Sequence, residues 1–160
     1  MTAQQFAELV DTHANVLVLY ARTWCASPED VVQDAFCKLA DQRTKPDDPV
    51  AWLYRVVRNR ALDVGKSERR RSKREATAAR PDRWFAETVV DGLDAETAVE
   101  ALGSLPHEER EVIVARLWGG LTLEQIASAA GCSVSTAHRR YEAGIRTLQE
   151  RLGELCPKNP

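Results

Sequence analysis

Two sets of side chains in this sequence have types and spacings suited to holding nucleic acid. The first is Ser135, Thr136, His138, Arg139 and Arg140. Hydroxyls and arginines near a helix start can reach base edges in a major groove, where a guanidinium matches the two acceptors of guanine. The second is Trp52, Arg55, Arg58, Asn59 and Leu62, followed by Lys66, Arg69, Arg70 and Arg71. Cations that follow phosphates, interleaved with a ring and apolar surface, suit unpaired bases, which stack on aromatic faces. Each set has a plainer reading: the first as the outside of an ordinary helical hairpin, the second with Trp52 as a core residue.

The first set needs a helix pair to present it, and residues 121–152 supply the pattern. Thr122 followed by Gln125 makes a capping box. Leu123, Ile126, Ala127 and Ala130 share one face of a short helix, and Gly131 ends it in the left-handed conformation that glycine adopts without cost. Ser133 caps a second helix. Val134, Ala137, Tyr141, Ile145, Leu148 and Leu152 recur there at spacings of three and four, the inward stripe. Ser135, Thr136, Arg139 and Ala143 then point outward, with His138 and Arg140 on the flanks. Two helices joined by a short turn containing glycine form a helix-turn-helix.

The second set rides on one long helix from Val50 to about residue 79. Leu53, Val57, Ala61 and Val64 pack on one side; Arg55, Arg58, Asn59 and Leu62 lie opposite, with Trp52 near the edge. Arg60 and Asp63 are spaced to pair on the flank. Lys73 and Arg74 extend the basic run.

Upstream, Gln5 to Trp24 reads as a helix with Phe6, Leu9, Val10, His13, Val16, Leu17 and Tyr20 on one side. His13 reads as a packed or half-exposed residue, since no second ligand lies near it. Ser27 and Pro28 open the next helix as cap and first residue. Its stripe is Val31, Val32, Ala35, Phe36 and Leu39, and its polar face carries Gln33, Asp34, Lys38 and Asp41. Residues 44–49 form a polar loop. Arg80-Pro81-Asp82 breaks the long helix. Asp94 to Leu102 has helical character. Leu105-Pro106 begins a further helix, with Glu108, Glu109 and Glu111 in the turns where the helix dipole favours acids. The expected fold is therefore all-α: two small helical domains, residues 1–83 and 102–156, joined by an acidic linker, residues 84–101.

Charge supports that division. The net charge is only −2, but it is distributed in blocks. Residues 51–83 hold 11 basic and 4 acidic side chains, and residues 84–109 hold no basic and 7 acidic ones. Such blocks mark surfaces for different partners, and the basic one suits phosphates. Hydrophobic content of 44% suffices for a packed core. No apolar run is long enough to span a membrane, and MTAQQFAELVD has no signal-peptide pattern. The four cysteines show no Cys-x-x-Cys pair, so neither zinc nor a disulfide framework is expected, and Cys37 and Cys132 read as small packing residues in a reducing cytoplasm. No phosphate-binding glycine loop, catalytic cluster or cofactor motif is visible.

Three segments, in order, carry a family resemblance: Ser27 to Phe36, Ala51 to Asp63, and Leu105-Pro106 with Arg110-Glu111-Val112 and Gly120-Leu121-Thr122 through Leu148. The chain resembles the extracytoplasmic-function (ECF) group of bacterial sigma factors, in the sigma-70 family, over about 120 of its 160 residues. The resemblance implies a bacterial promoter-specificity subunit and no enzyme, with core RNA polymerase and promoter DNA as partners and an anti-sigma protein as a further one. It implies that Gln33 and Asp34 face the polymerase clamp. Trp52, Arg55, Arg58, Asn59 and Leu62 would capture the melted minus-10 strand, with Lys66, Arg69, Arg70 and Arg71 on phosphates. Ser135, Thr136, His138, Arg139 and Arg140 would meet the minus-35 element. Where the family often has basic residues, this chain has Ala143 and Ile145; Arg139, Arg140 and Arg146 supply the charge. Two other classes stay open from the residues alone. One is a helix-turn-helix regulator that binds duplex DNA as a dimer without polymerase; the other is a nucleic-acid-processing enzyme, against which no acidic cluster or metal-ligand spacing is found.

Overall fold

The computed structural model of the protein describes residues 1–75 and 95–155. Among them are seven helices and no strand: α1 (Ala3–Ala21), α2 (Pro28–Asp41), α3 (Pro49–Glu75), α4 (Ala95–Ser104), α5 (His107–Leu117), α6 (Leu123–Ala130) and α7 (Val134–Leu155). The break at Arg80-Pro81-Asp82 and most of the acidic segment lie outside the described residues.

The helix ends follow local chemistry. Thr2 with Gln5, and Thr122 with Gln125, form reciprocal capping boxes at α1 and α6. Gly131 ends α6 at φ 66°. The Ser133 hydroxyl accepts from the Thr136 amide at 3.1 Å, capping α7. Ser27 behaves differently from expectation: its side chain makes no cap bond and instead donates to Glu68 at 2.9 Å, tying the start of α2 to α3. A carboxylate from a packed neighbour outcompetes the backbone amides for that hydroxyl. Lys45 closes the other end of α2, its ammonium donating to the carbonyl of Ala40 at 2.8 Å, where the helix dipole favours a cation.

In the first half, α1, α2 and α3 pack on one another through Leu17, Tyr20, Val31, Ala35, Leu39, Leu53, Val57 and Ala61, all buried. Each fully buried aliphatic contributes roughly 1.5–3 kcal/mol. The second half packs α4, α5 and α6 on α7. Leu102, Leu105 and Ile113 form a small cluster there with Tyr141, Ile145 and Leu148. Arg110 is buried and donates to the carbonyls of Leu102, Gly103 and Leu105, holding the end of α4 against α5.

The two halves also pack directly on each other. α6 lies along α3 and α5 against α1. The main core is continuous across the join, from Leu17, Tyr20, Leu53 and Tyr54 to Val112, Val114, Leu121, Ile126 and Ala129.

Several local expectations change. Val134 is exposed, because it sits in the first turn of α7 before that helix meets α5. Cys37 is exposed on the polar face of α2, while Cys132 is half-buried against the core. Arg60 pairs with Asp34 of α2 at 3.7 Å, across helices, not with Asp63 along its own. Glu111 does more than answer a helix dipole: its side chain is fully buried.

Candidate nucleic-acid interface

Helix α3 sets the first candidate surface. Its 3.6-residue period places Arg55, Asn59 and Lys66 outward, and all three are exposed, as are Arg69, Arg70 and Arg71 beyond them. Leu62 is half-buried within this stripe. Trp52 is half-buried too: it packs against the core, yet it also lines a surface hollow of about 510 Å³ with Lys38, Asp41, Gln42, Arg43 and Thr44. Both readings of Trp52 therefore have a structural counterpart in the same ring.

Arg58 does not lie with Arg55 and Asn59. Its Nε donates to the Glu111 carboxylate of α5, and its guanidinium sits over the Trp24 ring at 5.4 Å. Tyr20 donates to the same Glu111 oxygen at 2.5 Å. Burial first, then the neighbouring carboxylate, pushes the Tyr20 phenol well above its ordinary pKa. Burial works against the Arg58 charge, but the Glu111 hydrogen bond and charge outweigh it and raise its pKa.

On the polymerase-facing candidate surface, Gln33 and Asp34 are exposed side by side on α2. The Asp34 side chain is about half exposed and pairs loosely with Arg60 at 3.7 Å.

Helix α7 sets the remaining surface. Ser135, His138 and Arg139 are exposed, and Arg140 is half-buried. Thr136 is half-buried, its hydroxyl 2.8 Å from that of Ser133, so it serves the cap as well as facing outward. His138 lies 3.5 Å from Glu142 one turn on. Arg139 and Arg140 border a groove with Pro106, Glu108, Glu109 and Ala143. Close approach of α7 to α5 is set by Gly144, where a side chain would meet Ile113.

Comparison with known proteins decides what these surfaces belong to. Residues 9–75 match the Sigma-70 region 2 family model, and residues 101–150 match Sigma-70 region 4. The chain is 31% identical over 156 residues to the ECF RNA polymerase sigma factor SigL of Mycobacterium tuberculosis, covering 92% of this chain and 88% of the relative. The chain belongs to the ECF sigma factors of the sigma-70 family. This sigma factor is also 29% identical over 134 residues to the ECF sigma factor SigK of a Mycobacterium species, covering 78% of this chain and 69% of that one. Its fold matches the sigma factor RpoE of Bartonella quintana, solved with the anti-sigma factor NepR, at TM-score 0.69 and 22% identity over 94% and 98% of the two chains. It matches CnrH, solved with the cytosolic domain of CnrY, at TM-score 0.61 and 25% identity over 96% and 90%. As a sigma factor it directs core RNA polymerase to promoters and initiates transcription there. Among the described residues no helix is long and apolar enough to cross a membrane.

Sequence reasoning missed Tyr20, Trp24, Glu111 and His107 as partners of Arg58 and its surroundings. The one signal available was a glutamate flanked by Arg110 and the apolar Val112-Ile113-Val114, an acid inside a buried stripe.

Proposed function

We propose how the residues divide the work. Residues 1–83 bind the polymerase through Gln33 and Asp34 and hold the opened minus-10 strand on α3. There Arg55, Asn59, Leu62 and Trp52 meet bases, with Arg58 joining them once it is free. Lys66, Arg69, Arg70 and Arg71 follow phosphates. Residues 84–101 act as the acidic linker, which from Ala95 onward runs into α4, packed on α7. Residues 102–156 place α7 in the major groove of the minus-35 element, with Ser135, Thr136, His138 and Arg139 toward bases and Arg140 toward phosphate. The observation that carries this division is the exposed cationic stripe of α3 running beside the Trp52 hollow. Duplex binding needs only the cations; a ring and apolar surface beside them serve bases taken out of the stack.

On this reading the sigma factor acts by binding and not by making bonds. Contacts to unpaired bases and phosphates offset the few kcal/mol of unpairing. It works in the cytoplasm, which suits its free cysteines Cys25, Cys37 and Cys132. An anti-sigma protein is a further proposed partner, supported by the shared fold of RpoE, which was solved with one. The test is run-off transcription with core polymerase on a library of promoters. Selective initiation that requires this chain supports the division, and variants of the α3 stripe should abolish opening while sparing polymerase binding. Initiation indifferent to those variants would refute the assignment of α3.

A further inference from the structure

The packing of region 2 on region 4 centres on one buried carboxylate. The Glu111 side chain is 0% exposed and takes hydrogen bonds from Tyr20 and Arg58, both of the other region; the Arg58 side chain is 16% exposed. Around it, His107 stacks on Trp24 and its Nδ1 lies 2.6 Å from the Thr23 carbonyl oxygen. Gly119 lies so close to the Tyr54 hydroxyl that no side chain would fit between them. At the edge, Gln125 donates to Asp48 at 2.6 Å.

The join shares the apolar core of both halves but differs from a permanent core in its polar groups. Four polar atoms buried in it make no hydrogen bond to the protein: Glu111 Oε2, Tyr54 OH, Trp24 Nε1 and Thr23 Oγ1. Each regains a partner when water enters, so separation recovers part of what packing loses. A buried ion pair adds little stability over apolar residues of the same size, and its best-attested use is to specify one arrangement or to switch between two. Interfaces between domains of one chain part readily unless they are large and hydrophobic; here the apolar contacts that continue the core across the join oppose parting, and the unpaired polar atoms favour it.

We propose that Tyr20, Glu111 and Arg58 form a latch that holds regions 2 and 4 together and withholds Arg58 from nucleic acid until the regions part. The Arg58 guanidinium has two mutually exclusive partners, the Glu111 carboxylate and the bases of an opened DNA strand. Gln33 and Asp34 stay exposed in the latched form. Polymerase can therefore engage α2 first, and parting of the regions then frees Arg58 for the strand. The free sigma factor binds single strands weakly because its competent form is the minor one.

The inference rests on the proposed role of Arg58 in strand capture, and the experiment separates the two. Small-angle scattering of the full chain reads the latch; anisotropy of a fluorescein-labelled, mixed-sequence single-stranded oligonucleotide reads the release. Glu111→Ala removes the acceptor from region 4, and Tyr20→Phe removes one donor from region 2, with circular dichroism confirming helix content for both. Each should enlarge the radius of gyration. The open-to-latched ratio should rise about tenfold or more for Glu111→Ala, which leaves two buried donors without their acceptor. Oligonucleotide affinity should rise with it, and adding Arg58→Ala should abolish the gain. Folded variants with unchanged scattering would overturn the latch. Opening without any gain in affinity would overturn the withholding of Arg58. Promoter opening by holoenzyme carrying Arg58→Ala separately judges the role of Arg58: a defect there keeps the strand-capture reading even if the latch fails.

Discussion

Gly144 of α7 faces Ile113 of α5 so closely that a Cβ on Gly144 would stand 2.9 Å from Ile113 Cγ1. The absence of a side chain lets α7 lie flat on α5, and so sets the angle at which Arg139 projects. A β-branched residue must push the two helices apart. Gly144→Val should cost about 1–3 kcal/mol, the usual penalty for overpacking a well-filled core. Urea denaturation reads that cost, and a gain in stability would mean that the contact yields easily.

Replacing both Gln33 and Asp34 with Ala tests the polymerase surface. Both side chains are exposed, and Asp34 makes only a loose ion pair with Arg60. Exposed pairs contribute little, so folding stability should stay within about 0.5 kcal/mol. Binding to core polymerase should fall clearly. Unchanged co-elution with polymerase on size exclusion would remove these two residues from the interface.

Arg139 and Arg140 should fail in different ways. If Arg139 makes a bidentate guanine contact, Arg139→Ala costs about 1–3 kcal/mol and relaxes preference at one base position. Arg140, half-buried on the flank, is assigned to phosphate. Its loss should weaken all sequences alike and flatten the salt dependence of binding. Matching specificity profiles for the two variants, measured on a randomised minus-35 library, would erase the distinction.

Trp52 and Asn59 are tested at promoter opening. Trp52→Ala and Asn59→Ala in holoenzyme should keep closed-promoter binding and lose open complexes, since base stacking contributes about 1–3 kcal/mol per base. Permanganate reactivity of unpaired thymines reads the opening, and a pre-melted bubble should restore part of it. Trp52 also packs on the core, so a thermal melt accompanies that variant. Two well-folded variants that open the duplex like the wild type would show that this face captures no strand.

His13 gives stability a pH dependence of defined sign. Burial lowers its pKa from the usual 6.5, so between the two values the unfolded chain binds more protons than the folded one. Its contribution is intact above about 6.5 and is lost as pH falls toward the lowered folded value. His13→Gln should flatten the stability profile in that window, as measured by urea midpoints. A profile unchanged by the substitution would mean that His13 keeps its proton equilibrium on folding.

Much of the fold was legible in the sequence because its signals are local. The Thr122–Gln125 capping box, the Gly131 terminus and the Ser133 cap depend on atoms three or four residues apart, and the structure forms all three. The apolar stripes of α1, α2 and α3 follow from helical period and supply much of the buried core of the first half, but of the α1 stripe only Leu17 and Tyr20 are buried, and Tyr54 is buried outside any stripe. The cationic stripe of α3 and the exposed arginine of α7 were readable for the same reason: period decides which residues share a face. Family membership too lay in three short motifs and their order.

Tertiary structure decided what each face meets. Periodicity groups Arg58 with Arg55 and Asn59, but it cannot show that Glu111, 53 residues further on, takes Arg58 in the folded chain. Nor can it show that Ser27 serves Glu68 before its own helix, or that Arg60 reaches Asp34 across to α2. Glu111 read only as an acid matched to a helix dipole because helix position is local; its burial arises only when α5 closes on α1. A carboxylate acquires its role from the charges that surround it, and those arrive from distant parts of the chain.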